Sequence, residues 1–112
     1  MSETKQIVDL NLPSKLELQP IVDFFKTMSD STRMRIILTI ADGPITVSEI
    51  ASRLDLSVSN VSHQLRILRE QRFVVGERSD KQIFYRLIDD HVLQIYLLTK
   101  THIEEKLNNN QK

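Results

Sequence analysis

The sequence predicts a mainly α chain with one β-hairpin, an α+β fold, because its hydrophobic period changes along the chain. Over residues 18–71 apolar residues recur at the spacing of amphipathic helices. Within that region a short helical segment and a longer one are separated by about three residues, the spacing of a helix-turn-helix. After residue 72 the period becomes 2, which predicts two strands joined by a tight turn. Together these segments predict a winged helix-turn-helix.

Composition limits the classes of protein to consider. The chain has 112 residues, with 15 basic and 15 acidic residues and no cysteine. This length accommodates one small domain, and the lack of cysteine excludes disulfides and thiolate metal sites. Any metal ligands must therefore be nitrogen or oxygen atoms. There is no recognisable signal peptide and no apolar run of membrane-spanning length, so we expect a cytoplasmic protein that does not associate with membranes.

Two helices are predicted before the helix-turn-helix. Residues 18–28 have apolar positions at helical spacing, with Pro20 tolerated in the first turn. Asp30 is a candidate N-cap for a second helix over residues 31–41. The Gly43-Pro44 pair would end that helix.

The helix-turn-helix is predicted at residues 46–71. Thr46 and Glu49 have the spacing of a capping box at the start of its first helix, and residues 55–57 form the link to the second. The buried stripe of the second helix is expected at Val61, Leu65 and Leu68. The outward positions are Ser59, Asn60, Ser62, His63 and Arg66.

The outward face of the second helix and the hairpin after it carry groups suited to nucleic acid. The hairpin comprises the β-prone segments 73–78 and 82–87 around a polar turn at 79–81. Hydroxyl, amide and imidazole groups can bond phosphates and base edges in a major groove. Basic residues concentrate here: Arg66, Arg69, Arg72, Arg78, Lys81 and Arg86. This pattern predicts salt-dependent binding to DNA. The alternative is a winged helix of the same build that binds protein.

The last predicted helix, residues 89–106, carries two of the three histidines. His91 and His102 are eleven residues apart, which is about 16 Å of rise but only about 20° of rotation. They share a face but cannot bind one ion. If the same helix of a second copy packs antiparallel, Asp89 and His91 of one chain lie beside His102 and Glu105 of the other, and the twofold axis generates two identical sites.

Two imidazoles and two carboxylates form a donor set that tetrahedral Zn(II) accepts. Co(II) and Ni(II) are alternative ions, because affinity order alone does not favour zinc. In the alternative interpretation Asp89 is a helix N-cap and the other three residues are ordinary polar residues of a dimer seam. His63 has no second ligand three or four residues away, so a DNA contact or a packing hydrogen bond is favoured over metal binding.

Catalytic motifs are absent from the sequence. The chain has two glycines, Gly43 and Gly76, and therefore no Gly-rich phosphate loop. No arrangement of Ser, His and Asp or of Cys and His indicates a nucleophile. We therefore expect a binding protein that is not an enzyme.

Three segments resemble the ArsR/SmtB family of dimeric bacterial winged-helix repressors: SDSTRMRIIL (29–38), LSVSNVSHQLRIL (56–68) and IFYRL (83–87). The spacing Asp89-x-His91-x10-His102-x2-Glu105 is similar to the intersubunit zinc site of the family's zinc-sensing subgroup. The cysteine-based site that other members carry near the helix-turn-helix has no counterpart here, which argues against sensing of soft metals by thiolates.

The resemblance implies a metal-responsive repressor that dimerises through its first and last helices. The metal-free homodimer would bind an inverted-repeat operator, and zinc would release it from metal-efflux or metal-resistance genes. The implied metal ligands are Asp89, His91, His102 and Glu105. The candidate DNA contacts are Ser57, Ser59, Asn60, Ser62, His63, Gln64, Arg66, Arg78 and Lys81. A regulator of this fold that senses no metal is the second hypothesis, and a winged-helix protein-interaction module is the third.

These predictions divide the chain into three parts. Residues 1–16 mix charged residues, Asn and Ser without a helical period and are interpreted as a flexible N-terminal arm. Residues 17–107 form the winged-helix domain for DNA binding and dimerisation. Residues 108–112 are interpreted as a disordered tail.

Overall fold

The computed structural model describes residues 11–110, which form five helices and a three-stranded antiparallel sheet. The elements are α1 (Lys15–Met28), α2 (Ser31–Ile40), β1 (Ile45–Thr46), α3 (Val47–Leu54), α4 (Val58–Glu70), β2 (Val74–Ser79), β3 (Gln82–Leu87) and α5 (His91–Asn110). Helices α3 and α4 are the helix-turn-helix, and β2 and β3 are the wing. The predicted winged helix-turn-helix is confirmed.

Helix α1 begins three residues earlier than the predicted start at residue 18. The Ser14 hydroxyl accepts from the Glu17 backbone N–H at 3.1 Å, and the Glu17 carboxylate accepts from the Ser14 N–H at 2.8 Å. This reciprocal capping box starts the helix at Lys15. Pro20 consequently lies inside the helix and not in its first turn. Most of the predicted flexible arm, residues 1–10, lies outside the described part of the chain.

Short polar contacts and one left-handed residue fix the ends of α2 and α3. Asp30 caps α2 by accepting from the Arg33 N–H at 2.9 Å, as predicted. Thr46 caps α3 by accepting from the Glu49 N–H at 3.3 Å, but the Glu49 carboxylate pairs with Arg53 at 3.3 Å. The predicted capping box at Thr46 and Glu49 is therefore formed in one direction only. Asp55, at a left-handed φ of 57°, ends α3 and turns the chain towards α4.

The sheet has one strand more than the predicted hairpin. Strand β1 pairs with β3, placing Ile45 opposite Tyr85, and the strand order is β1-β3-β2. The loop between β2 and β3 consists of Asp80 and Lys81, with Asp80 at a positive φ of 57°. Strand β1 ties the start of α3 to the wing, which fixes the wing relative to the helix-turn-helix.

The core lies between the helices and the sheet. Val61, Leu65 and Leu68 are buried, as predicted for the inner stripe of α4. They join a cluster that includes Ile36, Ile37, Ile40, Ile50, Phe73, Val74 and Tyr85. The ring of Phe24 stacks on Phe73 with centroids 4.7 Å apart, which holds α1 against the link between α4 and β2.

Helix α5 is longer than predicted and largely exposed. It begins at His91 and continues to Asn110, so the helix includes residues 108–110 of the expected tail. Val92 is its one residue among the buried core, and Ile95 packs partly against that core. Further along the helix Leu98 is 73% exposed, and on α1 Phe25 is 52% exposed. The two helices therefore carry apolar surface that this chain does not cover by itself.

No helix within residues 11–110 has both the length and the apolarity needed to cross a bilayer.

Gly76 allows β2 and β3 to approach closely in the middle of the wing. A Cβ atom at this position would lie 2.9 Å from Ile83 Cγ2 and 3.0 Å from Tyr85 Cε1. Because Tyr85 is buried, Gly76→Ala is expected to lower the free energy of unfolding by about 1–3 kcal/mol. Urea denaturation followed by circular dichroism measures this change. Ser79→Ala, at an exposed position of the same strand, serves as the control, and equal stability of the two variants would contradict the expectation.

Candidate nucleic-acid interface and metal-ligand positions

The outward face of α4 has two flanks with different neighbours. The side chains of Ser59, Ser62, His63, Arg66 and Arg69 line a polar depression of about 490 Å³ that Tyr85 of the wing completes. On the other flank, Asn60 and Gln64 are half-buried and turn towards α2. The structure thus brings most of the predicted DNA contacts onto one helix beside the wing.

His63 and Arg66 contact each other on the wing-side flank. Arg66 Nη2 lies 3.3 Å from His63 Nδ1. An arginine has donors only, so Nδ1 of His63 is the acceptor in this contact. Both side chains are exposed, which leaves them available to phosphates and base edges.

Arg33 was not predicted as part of the site, yet it reaches the α2-side flank. Its Nη1 donates to Gln64 Oε1 at 3.4 Å, and Gln64 Nε2 donates to Asn60 Oδ1 at 3.4 Å. These bonds connect α2 to α4 through three half-buried side chains. Arg33 is outside the recognition helix in sequence, and only its place one turn after the N-cap Asp30 hinted at a structural role.

The remaining predicted contacts lie at the two ends of this surface. Ser57 is the N-cap of α4, where its hydroxyl accepts from the Asn60 N–H at 3.0 Å. On the wing, Arg86 pairs with Glu77 at 3.3 Å, so its charge is partly neutralised. Arg78 and Lys81 are exposed, and neither forms an ion pair with any residue in the described part of the chain.

Asp89 and His91 form a small cluster at the start of α5. Asp89 lies just before the helix, outside the first turn in which it was predicted. One of its carboxylate oxygens accepts from the His91 backbone N–H at 3.0 Å, and the other lies 3.2 Å from His91 Nδ1. Asp89 therefore caps the exposed amide of the helix start and orients the imidazole, with both side chains open to solvent.

His102 and Glu105 are exposed near the other end of α5. The neighbouring Glu104 is engaged by Lys100, whose ammonium donates to it at 2.7 Å. This hydrogen bond raises the pKa of Lys100 above its ordinary value. Glu105 has no such ion-pair partner among residues 11–108. Of the two adjacent glutamates, Glu104 and Glu105, it is therefore Glu105 whose carboxylate remains available to a cation.

The two ends of α5 do not form one site within a chain. The axial separation of His91 and His102 is about 16 Å, and residues 11–108 contain no cluster of three potential metal ligands. Leu98 lies between the two pairs on the same helix face, about 20° from the direction of His91. The four predicted ligands could meet only if another copy of the chain supplied half of them.

The family comparison agrees with this architecture. The model of the family described as "Bacterial regulatory protein, arsR family" matches residues 30–75, which span α2, the helix-turn-helix and the start of the wing. A transcriptional repressor SmtB homolog of Synechocystis is 36% identical over 89 residues, covering 80% of this chain and 67% of that protein. The chain belongs to the ArsR family.

Solved structures with the same fold cover most of this chain. The crystal structure of the AntR antimony-specific transcriptional repressor is similar at a TM-score of 0.75 and 29% identity, covering 88% of this chain and 89% of that one. The homodimeric winged helix-turn-helix domain of Mb0332 from Mycobacterium bovis is similar at a TM-score of 0.73 over 83% and 89% of the two chains. At 21% identity this second likeness shows the fold alone.

The ArsR-family match defines a class of protein and leaves the ligand open. Its members here are transcriptional regulators and not enzymes, and the chain is one of their type. The chain spans only 59 to 62% of the length of three other relatives, which are named as transcriptional regulators or repressors.

Proposed function

We propose that this ArsR-family chain is a zinc-responsive transcriptional repressor acting in the cytoplasm. Its metal-free homodimer binds an inverted-repeat operator through α4 and the wing of each copy. Zn(II), held between the two α5 helices, releases the operator and allows expression of metal-efflux or metal-resistance genes. The observation that carries this proposal is that two pairs of exposed potential ligands, Asp89 with His91 and His102 with Glu105, lie at separate positions along α5 with His91 and His102 on one face.

Dimerisation is supported by the uncovered apolar faces of α1 and α5. Phe25 of α1 and Ile95 of α5 line a common groove, and Leu98 extends the apolar surface along α5 between the histidines. An antiparallel pair of α5 helices would cover this surface and bring Asp89 and His91 of each copy beside the partner's opposite helix end. Such a pairing is self-complementary, as a twofold interface requires.

The donor chemistry fits zinc. Two imidazole nitrogens and two carboxylate oxygens provide four donors from residues that are already exposed, so little rearrangement of the fold is needed. A bound ion would supply a fixed link between the subunits, and four protein donors leave no open position for a catalytic water. Co(II) and Ni(II) accept the same donors and are the ions to compare.

The geometry of DNA binding explains how the metal and DNA compete. Two recognition helices must lie about one DNA turn, about 34 Å, apart to enter successive major grooves. The α5 pairing sets the angle between subunits and hence this separation. When residues 89–105 hold the ion, the dimer therefore favours one separation of the two α4 helices. Bound DNA favours a different separation. By reciprocity DNA weakens metal binding by the factor by which the metal weakens DNA binding.

A titration of the DNA-bound dimer with zinc, cobalt and nickel tests the proposal. DNA fragments from upstream of the chain's own gene are bound first, and fluorescence anisotropy follows their release. We expect two ions per dimer and release by zinc at stoichiometric concentration. DNA binding without any response to the three ions would favour a family member in which α5 is only a dimer seam. Failure to bind any such DNA at low salt would favour a protein-interaction module.

The wing is expected to contribute phosphate contacts. Arg78 is exposed and has no ion-pair partner in the described structure. Arg78→Gln is therefore expected to lower the affinity for operator DNA and for random DNA by a similar factor. It should also reduce the magnitude of the slope of log affinity against log salt concentration by about 1. Anisotropy titrations over a range of KCl concentrations measure the slope. Lys106→Gln, which removes a charge from exposed α5, should leave it unchanged; a change confined to the operator would contradict a phosphate contact.

A further inference from the structure

The guanidinium of Arg33 is anchored by backbone carbonyls, which gives its Nη1 group a fixed direction. Its Nε donates to the Thr27 carbonyl at 2.9 Å and its Nη2 to the Lys26 carbonyl at 3.5 Å, at the C-terminal end of α1. Its backbone N–H is bound to the Asp30 cap. A guanidinium against the carbonyls of a helix end is electrostatically favourable. The Nη1 group is left to point across to α4, where it meets Gln64.

The hydrogen-bond chain from Arg33 can run in one direction only. A guanidinium donates and never accepts, so Gln64 must present its amide oxygen to Arg33. The Gln64 Nε2 group is then the end that faces Asn60, and Asn60 must accept with Oδ1. Each amide is oriented by the one before it. The donor-only residue at the start therefore fixes the orientation of the last side chain, although the separate amides could each turn over.

From this one-way chain we infer that Arg33 and Gln64 determine which base Asn60 prefers. With Oδ1 turned to Gln64 and accepting from it, the amide of Asn60 directs its two Nδ2 hydrogens away from Gln64, and these are the groups it offers to DNA. Guanine presents two acceptors, O6 and N7, in the major groove, whereas adenine presents N7 beside an N6 donor. An asparagine that reads adenine needs its oxygen for N6 and its nitrogen for N7. Asn60 in this arrangement selects guanine over adenine.

Arg33 and Gln64 are positioning residues in this scheme, since neither needs to touch DNA. Gln64 was a candidate DNA contact from the sequence, and the structure gives its two polar ends to Arg33 and Asn60. The inference rests on the DNA-binding half of the proposed function and is independent of metal. It predicts base preference, a property that simple support of the fold would not alter.

The base read by Asn60 can be found without knowing the operator. Preferred sites are selected from a random-sequence duplex library with the full-length chain and with Asn60→Ala, both free of metal. The position at which Asn60→Ala loses its preference identifies the contacted base. We expect guanine there, with about a tenfold loss of wild-type affinity when it is replaced by adenine. Adenine at that position, or no position that depends on Asn60, overturns the inference.

Gln64→Glu tests the role of the chain itself. The carboxylate keeps the bond from Arg33 but cannot donate to Asn60, whose amide is then free to turn over. We expect the guanine-to-adenine affinity ratio at the Asn60 position to fall from about tenfold to about twofold or less. The added negative charge does not change this ratio, because it repels the phosphates of both DNA sequences equally.

Two further variants complete the experiment. Gln71→Glu makes the same chemical change at an exposed position of the α4 C-terminus and should keep the wild-type ratio. Arg33→Lys keeps the charge but lacks the fork that reaches three acceptors, and it should reduce the ratio as Gln64→Glu does. An unchanged ratio in Gln64→Glu overturns the inference. If the wild-type chain selects no DNA sequence, the proposed function fails before this question is reached.

Discussion

His102→Ala is expected to abolish the release of DNA by zinc while leaving metal-free DNA binding intact. By twofold symmetry the substitution removes one of the four proposed donors from both sites, so zinc affinity should fall by at least about 100-fold. The 5- to 150-fold loosening of DNA typical of about 1–3 kcal/mol of coupling would then disappear. His102 is exposed and far from α4 along the chain, so the fold and the DNA-binding face should be unaffected. Anisotropy of a labelled operator with and without zinc measures the change.

Neighbouring residues provide matched controls for this experiment. Glu105→Gln should lose the zinc response, whereas Glu104→Gln should keep it because Glu104 is engaged by Lys100. His63→Ala removes the histidine on the DNA face, so it should change DNA affinity but preserve the ratio of affinities with and without zinc. If zinc released DNA from the His102→Ala protein at the same zinc concentration as from the wild type, the metal proposal would fail. Helix α5 would then serve only as a dimer interface.

Periodicity was sufficient to predict most of the fold. The predicted bounds of α3, α4 and both wing strands agree with the structure to within one residue. Each helix has at least one full turn of regularly spaced apolar residues, each strand has several apolar alternations, and each element has a clear end signal. The Asp30 cap and the Asp55–Ser57 link are examples of such signals. These local features agree with the tertiary structure, so propensity and packing point to the same elements.

The errors arose where local pattern was weak or was overlooked. Strand β1 has two residues, too few for any alternation, and exists because Ile45 and Thr46 meet β3. The start of α1 lies three residues before the predicted start, because the charged stretch around Pro13 has no helical period, although Ser14 and Glu17 have capping-box spacing. The end of α5 was placed too early because its last residues include a run of asparagines, which have modest helix propensity.

The candidate sites differ in how much of them a single sequence contains. The DNA face could be predicted because one helix and its neighbouring hairpin carry nearly all of it. The contact of Arg33 with Gln64 could not, because it joins residues 31 positions apart through side-chain geometry. The metal ligands were recognisable by spacing, but their convergence depends on a second chain. The proposed zinc site therefore requires the dimer, and it forms only if the subunits pair through the α1 and α5 interface.

That dependence makes Leu98→Lys the most informative change outside the ligands. Leu98 is 73% exposed in a single chain, so replacing it should not affect the stability of the isolated fold. In an antiparallel α5 pair it lies near the twofold axis, close to the midpoint between His91 and His102. Two lysines would then face each other in an apolar seam, where unpaired like charges are strongly unfavourable. The dimer dissociation constant is expected to rise by at least about 100-fold, about 2.7 kcal/mol.

Loss of the dimer should affect both proposed activities at once. A monomer offers one recognition helix, so operator affinity should fall together with dimerisation, and zinc should bind weakly because each chain holds only half of the ligands. Sedimentation velocity over a range of concentrations measures the dissociation constant, and anisotropy measures DNA binding. Ser52→Lys introduces the same charge at an exposed position on α3, remote from α1 and α5 along the chain, and should remain dimeric. A Leu98→Lys chain that stays a dimer at wild-type strength would show that α5 does not pair along this face, and the four-ligand site could not form as proposed.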